Sequence, residues 1–272
     1  MKDYQPAADL LRDRVILVTG AGDGIGRAAA RRLAAHGATV ILLGRTIRKL
    51  EQTYDAIEQS GAPKPAIYPM NLEGAAPKDY ADLAQVLANE FGRLDGLLHN
   101  AALFEGLTPL ANYDIESWYR ILQVNLNAPF LLTQAVLGLL IRSTDASVVF
   151  TTDPVGEDGS AYWGAYAVAK GGAQTLMKLL ANELEANTPI RVNSIDPGRV
   201  RTGLTPRAYP GRDPAEWADP EEILASYLYL LGPDSRGVTG RIFRAQDQTA
   251  DGDRNPHPRD DRADARAGSA RG

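Results

Sequence analysis

The sequence has no cysteine in its 272 residues. Disulfides, thiolate metal sites and cysteine nucleophiles are therefore excluded. Histidine is almost as scarce: His36, His99 and His257 lie far apart, without metal-ligand spacing, and no metal is expected. Lysine is confined to Lys2, Lys49, Lys64, Lys78, Lys170 and Lys178. At a net charge of −5, with no basic block, the chain shows no nucleic-acid footprint. No Gly-x-Ser-x-Gly segment offers a hydrolase nucleophile elbow. The first residues are polar and carry no signal-peptide core. The apolar run Ala128 to Ile141 is too short for a bilayer and contains Pro129, Thr133 and Gln134. The expectation is a cytoplasmic protein with no membrane partner.

What is present fits one large globular domain: 44% of residues are apolar and 23% charged. Hydrophobic runs and amphipathic stretches alternate. Strands are predicted at Val15–Thr19, Thr39–Leu43, Ala66–Met70, Leu94–His99, Ser147–Thr151, Ile190–Ile195 and Arg241–Arg244, most of them separated by helical stretches. That rhythm implies right-handed crossovers and a Rossmann-type, doubly wound α/β fold. The sheet would be mostly parallel and seven-stranded, with helices on both faces. A long helix is predicted over Ile115–Ile141, bent at Pro129. Residues 1–13 read as a leader lying on the domain, 14–246 as the domain, and 247–272, nearly free of apolar residues, as a disordered tail. Gly203, Pro206, Pro210, Gly211 and Pro214 suit a mobile loop over a site.

The first strand feeds a glycine loop that opens a helix, Thr19-Gly20-Ala-Gly22-Asp23-Gly24-Ile25-Gly26. Glycine permits positive φ and close approach of a ligand. Free N–H groups at a helix start favour a phosphate. The spacing is Thr-Gly-x-x-x-Gly-x-Gly, and GxGxxG does not fit it. A second signal is Tyr166 and Lys170, one helical turn apart on one face. A phenol is a poor acid or base at neutral pH, and a nearby cation lowers its pKa.

With these two signals the chain resembles the short-chain dehydrogenase/reductase family over about residues 10–246. His99-Asn100-Ala101-Ala102, Val124-Asn125 and Pro197-Gly198-x-Val200-x-Thr202 fall where that family keeps further motifs. Within it, Tyr-Gln-Pro near the N-terminus, Val-Ile-Leu-Leu-Gly-Arg and Trp-Gly-Ala-Tyr look like the bacterial YciK-type oxidoreductases.

The resemblance implies hydride transfer between a nicotinamide cofactor and a small-molecule carbonyl or alcohol substrate. Tyr166 would be the acid/base, Lys170 would lower its pKa and hold the nicotinamide ribose, and Asn125 would support a water relay. Thr19, Gly20, Gly22, Asp23, Gly24, Ile25 and Gly26 would cradle the cofactor. Asn71 and Leu72 would lie at its adenine, and Pro197, Gly198, Val200 and Thr202 at its nicotinamide. Asn100 would tie neighbouring strands together beside Ala101. The resemblance also implies a homodimer or homotetramer paired through the long helix and the Tyr166 helix. The alternative for their apolar stripes is burial against their own sheet.

Cofactor choice turns on Arg45. No acid follows the second strand to hold a ribose 2′-OH, as NAD sites usually have. Arg45 could pair with a 2′-phosphate and Thr46 could hydrogen-bond it, which favours NADP over NAD. Asp23 argues mildly the other way, and Arg45 could simply be a solvated residue at a helix start.

One position departs from the family. Asp153 stands where a serine should hydrogen-bond the reacting oxygen. An ionised Asp accepts only, and it would repel an alkoxide and raise the pKa of Tyr166. Three readings stay open: a protonated Asp153 donates, Thr151 or Thr152 fills in, or the site is weak. The last would make the chain an NADP-binding regulator or pseudoenzyme. Leu103, Phe104, Trp163, Tyr209 and Trp217 are candidates for an apolar pocket, and equally for core or surface.

Overall fold

The computed structural model describes residues 4–246; Met1–Asp3 and the predicted tail from 247 on lie outside the described residues. Seven strands form one sheet: β1 Val15–Thr19, β2 Thr39–Gly44, β3 Ala66–Pro69, β4 Gly96–His99, β5 Ser147–Thr151, β6 Arg191–Asp196 and β7 Ile242–Arg244. Their order is β3-β2-β1-β4-β5-β6-β7 and every pairing is parallel. The helices are α1 Gly24–Ala35, α2 Ile47–Gln59, α3 Pro77–Phe91, α4 Ile115–Leu122, α5 Ala128–Ile141, α6 Val155–Asp158, α7 Gly164–Glu185, α8 Thr205–Ala208 and α9 Leu224–Leu231.

Successive strand side chains point to opposite faces. Ile16, Val18, Val40 and Leu42 face the core under α1, α2 and α9, with Leu33, Leu50, Ile57 and Leu231. Leu17, Ile41 and Leu43 face the other core, with Leu83, Leu132, Val136 and Met177 from α3, α5 and α7. Each fully buried side chain of this kind contributes about 1.5–3 kcal/mol. The two-sided apolar cover explains why the central strands read as unbroken hydrophobic runs.

The chain leaves β1 toward β2 and β3, then returns to β4 on the other side of β1. The crevice at the carboxyl ends of β1 and β4 is thus the switch point of the sheet, where doubly wound folds bind ligands.

One expectation about the long helix needs correction. The irregularity is a widened turn at Gln123–Asn127, before Pro129 and not at it, where Ala128 N–H reaches back to the Gln123 carbonyl. Pro129 has no N–H for the carbonyl of Asn125, and its ring crowds that group, so the preceding turn opens. The helical run itself keeps the predicted bounds. Ile115–Ile141 spans 27 residues and is long and apolar enough to cross a membrane by length and composition. In the fold it is a core element: α4 packs on α7 and α5 on α3.

Residues 4–13 pack into the domain. Leu11 is fully buried and its N–H bonds the His36 carbonyl at 2.9 Å. At the amino ends of the strands, the Asp145 carboxylate joins three arginines: Arg14 at 2.9 Å, Arg191 at 3.0 Å and Arg236 at 3.2 Å.

Candidate active site

The glycine loop is shaped by close contacts. Gly20 (φ +69°) lies against the Ala101 backbone, and a Cβ on Gly26 would stand 2.2 Å from the Gly20 carbonyl oxygen. Gly26 therefore serves helix-to-loop packing. Asn100 fastens this turn to β1: its N–H bonds Thr19 Oγ1 at 2.9 Å and its Nδ2 the Thr19 carbonyl at 3.3 Å. Ala101 N–H also donates to Thr19 Oγ1, at 3.0 Å. Asp23 caps α1 by accepting from Gly24 N–H at 2.8 Å. Helical bonding starts at Arg27 N–H, so the N–H groups of Ile25 and Gly26 have no helical carbonyl. Gly24 (φ +48°) faces the Thr202 side chain across the crevice. Free N–H groups at such a helix start favour a phosphate.

At the carboxyl end of β2, Arg45 and Lys49 already hold carboxylates. Arg45 pairs with Glu73 at 3.5 Å and Lys49 with Asp23 at 2.5 Å. The Lys49 hydrogen bond holds Asp23 below the usual carboxylate range. Thr46 caps α2 without a side-chain bond. Asn71 is exposed, its Oδ1 taking the Glu73 N–H at 3.3 Å. Leu72 is buried beside Thr19, His99 and Ala101. His99 donates to or accepts from Thr133 Oγ1 at 2.8 Å, and burial pulls its pKa down to about 3, so it stays neutral.

Tyr166, Lys170 and Asp153 come together at the carboxyl end of β5. Tyr166 Oη donates to Asp153 Oδ2 at 3.3 Å, and Asp153 Oδ1 takes the Val155 N–H at 3.1 Å. Lys170 Nζ donates to the Thr151 carbonyl at 2.9 Å and stands 5.5 Å from the Tyr166 ring centre. Gly156 holds α6 against α7, because a Cβ there would stand 2.5 Å from Gly171 N.

The electrostatics differ from expectation. Tyr166 is pushed well above its ordinary value, first by burial and then by the Asp153 charge. Lys170 does not lower it; burial instead pulls Lys170 itself down to about 8. Burial also raises Asp153. The phenol is thus a firmly held proton.

Thr151 does not fill in for the missing serine: its hydroxyl lies 3.3 Å from Tyr227 Oη. Thr152 is buried and its hydroxyl has no partner among the described residues. The Asn125 amide is consumed by backbone, donating to the Leu103 and Ile121 carbonyls at 2.8 Å each and accepting from Leu103 N–H at 3.2 Å. Its own carbonyl is the one that Pro129 cannot bond.

The aromatic candidates form one wall around Tyr166. Phe104 lies 5.1 Å from Trp163 and 5.2 Å from Tyr166, and Trp163 lies 5.8 Å from Tyr166. Tyr209 meets Trp163 edge-on at 5.7 Å and lies 6.3 Å from Trp217. The segment after β6 is folded, with α8 and a bridge from Val200 to Ala218 that lays Tyr209 over Trp163. Gln246 secures its start, donating to the Pro197 and Arg199 carbonyls at 2.7 and 2.9 Å. Sequence reasoning missed Gln246 and Lys49, since neither lies in a motif and each acts on a segment distant in the chain.

The family profile for short chain dehydrogenase matches residues 14–213. This chain belongs to the short-chain dehydrogenase family. It is 45% identical to the oxidoreductase YciK of Escherichia coli K12 over 243 residues, 89% of this chain and 96% of that protein. A short-chain dehydrogenase structure from Pseudomonas syringae is 50% identical, with a TM-score of 0.87, covering 90% of this chain and all of the other (100%). One from Escherichia coli CFT073, complexed with NADPH, is 45% identical with a TM-score of 0.86, covering 89% and 100%. As a short-chain dehydrogenase the chain is an oxidoreductase by family.

Proposed function

We propose that the protein is an NADP-dependent oxidoreductase that transfers hydride to or from a carbonyl or hydroxyl carbon, with Tyr166 as acid/base. The observation that carries this reading is the buried Tyr166–Lys170 pair beside the carboxyl end of β5, where Lys170 Nζ donates to the Thr151 carbonyl. Arg45 and Thr46 would hold the 2′-phosphate, and Ile25 and Gly26 N–H groups the diphosphate. Asn71, Leu72 and Ala101 would border the adenosine. Pro197, Gly198, Val200 and Thr202 would border the nicotinamide. The bound nicotinamide supplies the hydride; the protein supplies position and a proton.

Reduction is the direction the electrostatics support. A phenol whose pKa is raised holds its proton until a strong base, such as a forming alkoxide, takes it. Lys170 would then steady the phenolate. The Asn125 carbonyl, opened by Pro129, is the group proposed to hold a water leading to Lys170.

The oligomer proposed is a homodimer or homotetramer through α5 and α7. Leu132, Leu139, Ala165, Ala169 and Ala173 are buried inside the subunit, whereas Phe130, Ile141, Val168 and Leu179 are exposed on the same helices. The test of function is NADPH binding followed by NADPH oxidation over a panel of acceptors. Binding without turnover would favour a regulatory role, which Asp153 beside Tyr166 makes a live second reading.

A further inference from the structure

We propose that the preferred acceptor is a carbon–nitrogen double bond, in an iminium or protonated unsaturated N-heterocycle, with Asp153 facing the nitrogen. This inference rests on the NADP-dependent hydride transfer proposed above and puts a C=N bond in place of the carbonyl as its preferred acceptor.

The argument starts from the sign of charge. A carbonyl that accepts hydride becomes an alkoxide, and a carboxylate at its oxygen repels the charge as it forms. A protonated C=N bond enters as a cation and leaves as an amine. The same carboxylate attracts it and accepts its N–H. The site thus has the wrong charge at the reacting heteroatom for a ketone and the right one for an iminium.

Asp153 is also fixed in that place. One oxygen takes the Val155 N–H at 3.1 Å and the other the Tyr166 hydroxyl at 3.3 Å, so the carboxylate cannot turn away without losing a bond. Neither alternative hydroxyl stands in for it: Thr151 is turned to Tyr227, and Thr152 is buried without a partner. Around Tyr166 lie the rings of Phe104, Trp163 and Tyr209. Aromatic faces favour a flat organic cation and tolerate a ring system. Lys170 opposes a cation, but its ammonium is turned to the Thr151 carbonyl.

The step balances without a further reagent. The carbon gains a hydride from the reduced nicotinamide, which is thereby oxidised by two electrons. The π pair of the C=N bond moves onto nitrogen, and the nitrogen keeps the proton it carried in or takes one from the Asp153 carboxyl. The sum is one hydride and one proton added across C=N.

The test compares matched bicyclic probes, 3,4-dihydroisoquinoline and 1-tetralone, with NADPH as reductant. The expected result is a kcat/KM for the imine at least about 100-fold above that for the ketone, the scale of one well-placed polar group in a buried site. Asp153→Ser should invert the order, and Asp153→Asn, which keeps the shape and removes the charge, should abolish the imine preference. NADPH binding, read by quenching of tryptophan fluorescence, reports whether each variant is folded. Faster reduction of the ketone by the native protein would overturn the inference and leave the oxidoreductase reading intact. Turnover of neither probe with NADPH bound would overturn it as well. Failure of the native protein to bind NADPH would sink the reading beneath it.

Discussion

Tyr166 donates its phenolic proton to the Asp153 carboxylate 3.3 Å away, thirteen residues earlier in the chain. The pair couples the acid/base residue to a negative charge where the family resemblance implies a neutral hydroxyl. Tyr166 is buried and Asp153 half-buried, so the carboxylate charge is only partly screened.

This contact predicts opposite outcomes for its two members. Tyr166→Phe should lower NADPH oxidation by about 100- to 10,000-fold, the range of a lost general acid. Asp153→Ser should raise ketone reduction by about 100-fold, by restoring a donor and removing a repulsion. Steady-state kinetics with a common ketone measure both. An unchanged ketone rate in Asp153→Ser would mean that the carboxylate does not sit at the reacting oxygen.

At the other end of the crevice, Arg45→Ala should weaken NADPH by about 10- to 100-fold, the value of a hydrogen bond to a charged group. NADH affinity should change little. Calorimetry with both nucleotides reads the difference. Equal losses for the two would place Arg45 away from the 2′-phosphate.

Burial pulls Lys170 from its usual 10.5 to about 8. Between those values the unfolded chain binds the extra proton and the folded chain does not, so this group makes stability rise with pH over that window. Below it, the cost of burying the ammonium is fully present, about 3 kcal/mol. Lys170→Met removes the cost. Its stability relative to the native protein should therefore be greatest near pH 7 and decline from pH 8 to about 10.5. Urea unfolding across that range checks the sign. A difference independent of pH would show that Lys170 keeps its ordinary affinity for protons.

Asp145 lies far from the crevice, where it receives Arg14, Arg191 and Arg236. Asp145→Ala leaves those cations facing one another, two of them little exposed. Breaking a buried pair in this way costs about 3–5 kcal/mol. Thermal unfolding should show the loss, with NADPH affinity unchanged in the fraction that folds.

The positions legible in the sequence were those where one residue type answers to one local demand. The buried strands Val15–Thr19 and Thr39–Gly44 could be read because both faces are apolar. The glycine loop could be read because Gly20 and Gly24 take positive φ. Tyr166 and Lys170 could be paired because four residues make one helical turn. The seven-stranded sheet and its helices on both faces follow from the alternation of such stretches, and the family profile agrees.

Tertiary structure alone decided the rest, because it depends on which atoms meet across long stretches of chain. The turn at Gln123–Asn127 opens because a proline two residues further on leaves a carbonyl without a donor. Thr151, the last residue of β5, turns toward Tyr227, while Asp153, two residues beyond the strand, turns toward Tyr166; a continued strand would put both on one face, so the chain leaves the pleat after Thr151. Arg45 and Lys49 find carboxylates from the turn after β3 and from the glycine loop. Whether the tyrosine gains or loses acidity is settled by burial and by one neighbour, and no spacing in the sequence records how much water a fold excludes.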